Sequence, residues 1–139
     1  MLIDEIKKAN IQAMKDRDSS KRAILSVLIT KYNNAEIEMR SKGKEMTDAD
    51  TLSIIQKTIK ELDDEAKSYM AANRYEKAVE IASQMGLISH YLPKQLTEEE
   101  IRNIINSLED KSIPSVMKHF KTNYTGQVDM SLVSKIARG

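Results

Sequence analysis

Leu52-Ser53-Ile54-Ile55-Gln56-Lys57-Thr58-Ile59-Lys60-Glu61-Leu62-Asp63-Asp64-Glu65-Ala66-Lys67-Ser68-Tyr69 is the stretch that decides the fold class. Its apolar positions Leu52, Ile55, Ile59, Leu62, Ala66 and Tyr69 step by 3, 4, 3, 4 and 3 residues. A helix turns once every ~3.6 residues, so this rhythm lays one apolar stripe along one face and sends Lys57, Lys60 and Asp64 to the other. Leu25, Leu28, Tyr32, Ala35 and Met39 repeat the rhythm upstream, and Ala78, Ile81, Met85, Ile88 and Leu92 repeat it downstream. No comparable stretch alternates with period two, so no strand is expected. The chain reads as all-α.

Local chemistry sets the expected helix ends. Thr47 with Asp50 three residues on resembles a capping box, and Ser41-Lys42-Gly43-Lys44 supplies the break before it. Asp18-Ser19-Ser20 caps the second helix and Asn73 the fourth, which runs through Gly86 at a cost of about 1 kcal/mol against Ala. Pro93 restrains Leu92 and ends that helix, and Thr97 with Glu100 forms a capping box for the next. Residues 1–95 therefore read as an N-terminal bundle of about four helices. Residues 96–139 read as a small three-helix subdomain with helices near 97–109, 113–122 and 129–138.

Composition narrows the function. With 22 Lys plus Arg against 21 Asp plus Glu, the 139-residue chain carries a formal charge of +1, which argues against a dominant polyanion-binding arm. No window reaches the ~20 apolar residues of a membrane span, and Met1-Leu2-Ile3-Asp4-Glu5 places acids where a secretory signal has bases. The chain has no cysteine, which removes disulfides, thiol catalysis and Cys-based zinc sites and fits a reducing cytosol. Charge is unevenly spread. Residues 97–110 set Arg102 against Glu98, Glu99, Glu100, Glu109 and Asp110, while residues 111–139 set Lys111, Lys118, Lys121, Lys135 and Arg138 against Asp129.

Catalytic patterns are scarce. His90 and His119 lie far apart and outside any metal-ligand spacing, so both read as structural or solvated. Asp63, Asp64 and Glu65 sit on successive helical positions about 100° apart and cannot converge on one ion, which makes them a solvated face. No phosphate-cradling glycine loop and no nucleophile elbow occurs. No metal or cofactor is expected. Met14, Met39, Met70, Met85 and Met117 fall on or beside the stripes and read as core. Tyr32, Tyr69, Tyr75 and Tyr91 are likewise placed at core-like spacings rather than as a stacking platform. The basic tail is the feature with functional content, since Lys118, Lys121, Lys135 and Arg138 flank the Gly126 turn and suit phosphate contact. Composition alone favours an ordinary lysine-decorated surface.

Tyr91-Leu92-Pro93-Lys94-Gln95-Leu96-Thr97-Glu98-Glu99-Glu100-Ile101 closely resembles the YLPxQLsxEEI signature of the YqeY proteins. This group is related to the tail of the GatB component of the tRNA-dependent amidotransferases. Arg22, Leu25, Leu28 and Asn34-Ala35-Glu36-Ile37 are similar to the family's early helix, Met46-Thr47-Asp48 to the opening of its third, and Asn73-Arg74 to the turn before its fourth. Val116-Met117-Lys118, Gly126, Asp129 and Leu132-Val133 are similar to its closing helices. Pro114 stands where the pattern has Gly, two basic positions are missing from the turn at 125–130, and Leu62 and Asp63 replace frequent arginines.

The resemblance implies a helical bundle joined to a three-helix domain. It also implies a role near tRNA or an aminoacyl-tRNA-handling complex, with Lys118, Lys121, Gly126, Lys135 and Arg138 near the contact. The family's label, a carbon–nitrogen ligase with glutamine as amido donor, is carried over from a larger relative whose catalytic segments this chain lacks, so no catalytic residue is assigned. A protein–protein adaptor working through an exposed stripe on the third or fourth helix is the alternative.

Overall fold

Seven helices and no strand make up the computed structural model, which describes residues 1–139. They are α1 (Leu2–Lys15), α2 (Ser19–Ser41), α3 (Asp48–Ala71), α4 (Tyr75–Ser89), α5 (Glu98–Ser107), α6 (Ile113–Asn123) and α7 (Met130–Arg138). Contacts group them into two compact units, Met1–Tyr91 and Leu92–Gly139. No helix is long and apolar enough to cross a membrane.

In the first unit α1 with α2 and α3 with α4 form helical hairpins, and α2 packs against all three of the others. Start signals act as expected: the Asp18 carboxylate accepts from Lys21 N–H at 3.1 Å, and Thr47 and Asp50 bond reciprocally as a capping box. The stops share one geometry. At the ends of α1, α2 and α3 the chain turns through a left-handed residue, Arg17 (φ +57°), Gly43 (φ +71°) and Asn73 (φ +60°). The following amides of Asp18, Lys44 and Arg74 reach back to the carbonyls of Ala13, Met39 and Tyr69. This is the Schellman motif, which satisfies carbonyls that a helix end leaves open. Asn73 is thus the terminator of α3, not the cap of α4. Arg74 holds the N-cap position, and the Asn73 Oδ1 accepts from the Tyr75 hydroxyl at 2.8 Å. Asparagine is among the few side chains that tolerate left-handed backbone, and that use wins here. Helix α4 runs through Gly86 but stops at Ser89, so Leu92 lies outside it and the chain is already non-helical when it reaches Pro93.

The core follows the stripes with a rotation on α3. Its buried line is Thr51, Ile55, Thr58 and Leu62, whereas Leu52 and Ile59 are half-buried. Threonine is admitted because its hydroxyl donates to the carbonyl four residues back, Thr58 to Ile54 at 2.7 Å, leaving no unpaired donor. Lys31 Nζ then bridges from α2 to Thr58 Oγ1 (3.2 Å) and Glu61 Oε2 (2.7 Å). Met39 is half-buried against the core, but Met14, Met70 and Tyr75 are exposed, contrary to the core reading. They flank the reversals at Arg17 and Asn73, where the chain folds back before a neighbouring helix can cover them.

In the second unit α7 packs against both α5 and α6 around buried Ile101, Ile105, Val116, Phe120, Val128 and Val133. The lead-in to α5 is fastened to the α6–α7 turn. Leu96 N–H donates to the Gln127 carbonyl at 2.8 Å, and Gln95 Nε2 donates to the Gly126 carbonyl at 2.6 Å.

Gly43 and Gly86 make a matched test, because a Cβ at either meets no atom within 4 Å. Only backbone conformation separates them. Gly86→Ala is expected to stabilise the first unit by about 1 kcal/mol through helix propensity, and Gly43→Ala to destabilise it by a similar ~1 kcal/mol because φ is left-handed there. Urea denaturation of both variants checks the opposite signs.

Candidate nucleic-acid interface

The site begins at Asp110. Its carboxylate accepts from the Ser115 hydroxyl at 2.7 Å and from Ser112 N–H at 2.9 Å, pinning the start of α6, where Pro114 occupies the first turn. Helix α6 buries Val116 and Phe120, four residues apart, so Lys118 and Lys121 fall on its outer side and are exposed. Helix α7 repeats the plan: Asp129 accepts from Ser131 N–H at 2.9 Å, Val133 is buried, and Lys135 and Arg138 are exposed. Because α6 and α7 pack on each other, the two cationic pairs sit on adjacent helices. Lys121, Lys135 and Arg138 also lie in last turns, where a cation complements the helix dipole. Arg102, by contrast, is held by Glu98 at 2.8 Å.

Gly126 is half-buried with φ +75°, and its carbonyl is taken by Gln95. It shapes the turn between the two basic helices. The same fastening carries an exposed cation that the sequence reading did not select. Lys94, next to Gln95, is held at the strapped segment. The Glu100 carboxyl is lowered from its ordinary value by the backbone and hydroxyl of Thr97, with Lys94 adding to the effect.

A ring cluster was also missed. His119 packs against Phe120 and Tyr124 with centroids 5.9 Å from each, and Phe120 lies 5.5 Å from Tyr124. Phe120 is buried, while His119 and Tyr124 are half-buried, and Asn123 Nδ2 donates to the His119 carbonyl at 3.0 Å. The spacing of four between Phe120 and Tyr124 was the signal that could have found it, because the Tyr124 amide still bonds the Phe120 carbonyl at the end of α6. Elsewhere, Asp63 is paired with Lys67 at 2.9 Å, and His90 is an exposed C-cap of α4 beside Tyr91.

These features define an all-helical protein whose second unit displays cations on a packed pair of short helices. Residues 3–139 match the model of the YqeY-like protein family, nearly the whole chain, and the protein belongs to that family. None of the curated proteins compared with it matches.

Asp110 gives this unit a pH signature. Hydrogen bonds from Ser115 and then Ser112 pull its carboxyl down from 3.8 to about 2. A depressed folded value means the contribution is complete above the unfolded value and disappears as pH falls through the folded one. Between about pH 4 and pH 2 the second unit should therefore lose stability, and Asp110→Asn should flatten that dependence while lowering the melting temperature at neutral pH. Thermal melts followed by the NMR signals of Phe120 and Val133, which lie in the core of this unit, provide the check across that range.

Proposed function

We propose that this chain is a non-catalytic helical module that binds tRNA, or docks on an aminoacyl-tRNA-handling complex in the cytosol, through α6 and α7 of its second unit. The observation that carries this reading is the exposed set Lys118, Lys121, Lys135 and Arg138 on two packed helices, in a segment whose charge is otherwise opposed only by Asp129. The resemblance to the tail of the amidotransferase GatB component supplies the RNA class. Lysines of this kind attract phosphates without reading bases, so the binding is expected to be indifferent to tRNA identity. Phosphoryl transfer and amide formation belong to the larger relative's other parts.

A second reading is favoured by Met70, Tyr75 and Val79 at the α3–α4 reversal, which are 50%, 53% and 67% exposed. An apolar group there suits a protein partner more than a polyanion, and Tyr75→Ser with Val79→Ser would then abolish co-purification of that partner while leaving helicity by circular dichroism unchanged.

The decisive measurement is fluorescence anisotropy of labelled tRNAs over a salt series. Lys118→Glu with Lys121→Glu is expected to weaken all tRNAs alike and to reduce the magnitude of the salt slope by about 2, one per lost phosphate contact. Unchanged affinity would reject the assignment to α6.

A further inference from the structure

Gly86 stands in the interior of α4, where glycine weakens a helix relative to alanine, and nothing in the chain asks for it. Its backbone is not left-handed, and a Cβ added to it meets no atom within 4 Å. Neither a special conformation nor a packed neighbour therefore accounts for the missing side chain. Glycine's other use is to let a ligand approach the backbone closely. Gly86 lines a concavity of about 420 Å³, within the size range of small-molecule sites.

Ser83, Gly86, Leu87 and His90 recur at helical spacing and form one wall from a single face of α4 and its C-cap. Lys21, in the first turn of α2, forms another. The two helices are tied together beside it, because Gln84 Nε2 donates to the Ser20 carbonyl at 3.1 Å. Half-buried Tyr91 completes the lining, its ring tilted 68° against that of His90 at 5.9 Å. Four of these six side chains can hydrogen-bond and none is a carboxylate. Lys31 and Lys67 are each taken by an acid, whereas Lys21 has no ion-pair partner. Burial, and then Glu5 of α1, raise the Tyr91 hydroxyl above its ordinary value, so it remains a donor at neutral pH.

We infer that this concavity binds a small organic phosphate monoester. Lys21, His90 and the hydroxyls of Ser83 and Tyr91 hold the phosphate, which carries a charge of about −1.5 to −2 and accepts several hydrogen bonds at once. The organic body lies over the bare backbone of Gly86 and against Leu87, where a Cβ would take its place. Every lining residue belongs to the first unit, so the site is independent of the cations on α6 and α7.

Phenyl phosphate is the probe, titrated into the isotope-labelled full chain and followed by NMR at the Gly86 amide and the His90 ring. Shifts there that saturate in the millimolar range are expected, with inorganic phosphate weaker because it has no body to place over Gly86. Lys21→Ala should weaken binding at least ~10-fold with helicity by circular dichroism unchanged. Gly86→Ala should weaken it by ~3-fold or more while raising the urea midpoint, opposite effects that a purely structural glycine does not produce. Shifts that do not saturate, equal affinity for inorganic phosphate, or unchanged affinity in either variant overturns the inference. Tighter binding of benzoate also overturns it by assigning the cavity to carboxylates, and shifts confined to Lys118 and Lys121 do so by reporting charge attraction alone.

Discussion

The hydrogen bonds of Gln95 and Leu96 to the Gly126–Gln127 turn are the constraint on which the second unit depends. Its helices have 10, 11 and 9 residues, shorter than the ~12–15 that an isolated helix needs even with favourable residues. None is stable for its own sake. What holds them is a small core around Phe120 and Val116, and that core closes only if the chain entering α5 meets the turn leaving α6. The strap makes that meeting with two short bonds, one from backbone and one from a side-chain amide. Lys94 is carried along, and the Gly126 turn is fixed between the helices that bear Lys118, Lys121, Lys135 and Arg138.

This gives the most specific stretch of the sequence a physical meaning. Pro93 removes an amide and restricts Leu92, so the segment arrives extended. Gln95 offers a donor long enough to span to Gly126, and Thr97 opens α5 with a reciprocal capping box. The signature block thus acts as a fastening, and its residues are explained by the geometry they close.

The apolar period exposed the helices plainly, because burial on one face of a helix writes itself at a spacing of three and four. Thr47, Asp18 and Thr97 marked starts correctly, since a cap acts through residues within three positions. Stops were harder to read. Arg17 and Asn73 end helices in left-handed backbone without being glycine, and nothing local distinguishes Asn73 as a terminator from Asn73 as a cap. The burial of Thr51 and Thr58 over Leu52 and Ile59 depends on which helices lie opposite α3. The exposure of Met14, Met70 and Tyr75 has the same origin, as does the strap that ties Gln95 and Leu96 to the turn. Long-range neighbours decide these features, and residue spacing does not contain them. The candidate cations themselves were visible as a charge imbalance in residues 111–139, but their outward direction had to await Val116, Phe120 and Val133 facing in.

A phosphate-binding face must be cationic, so two copies of it repel, and its affinity falls as salt replaces the counterions it would release. Lys118, Lys121, Lys135 and Arg138 meet that requirement in a segment whose one acid, Asp129, caps α7. A contact made through Met70, Tyr75 and Val79 in the first unit would rest instead on apolar burial, which salt screens little. Rising salt therefore separates the two readings, because it releases a polyanion from the second unit and leaves an apolar partner in place on the first.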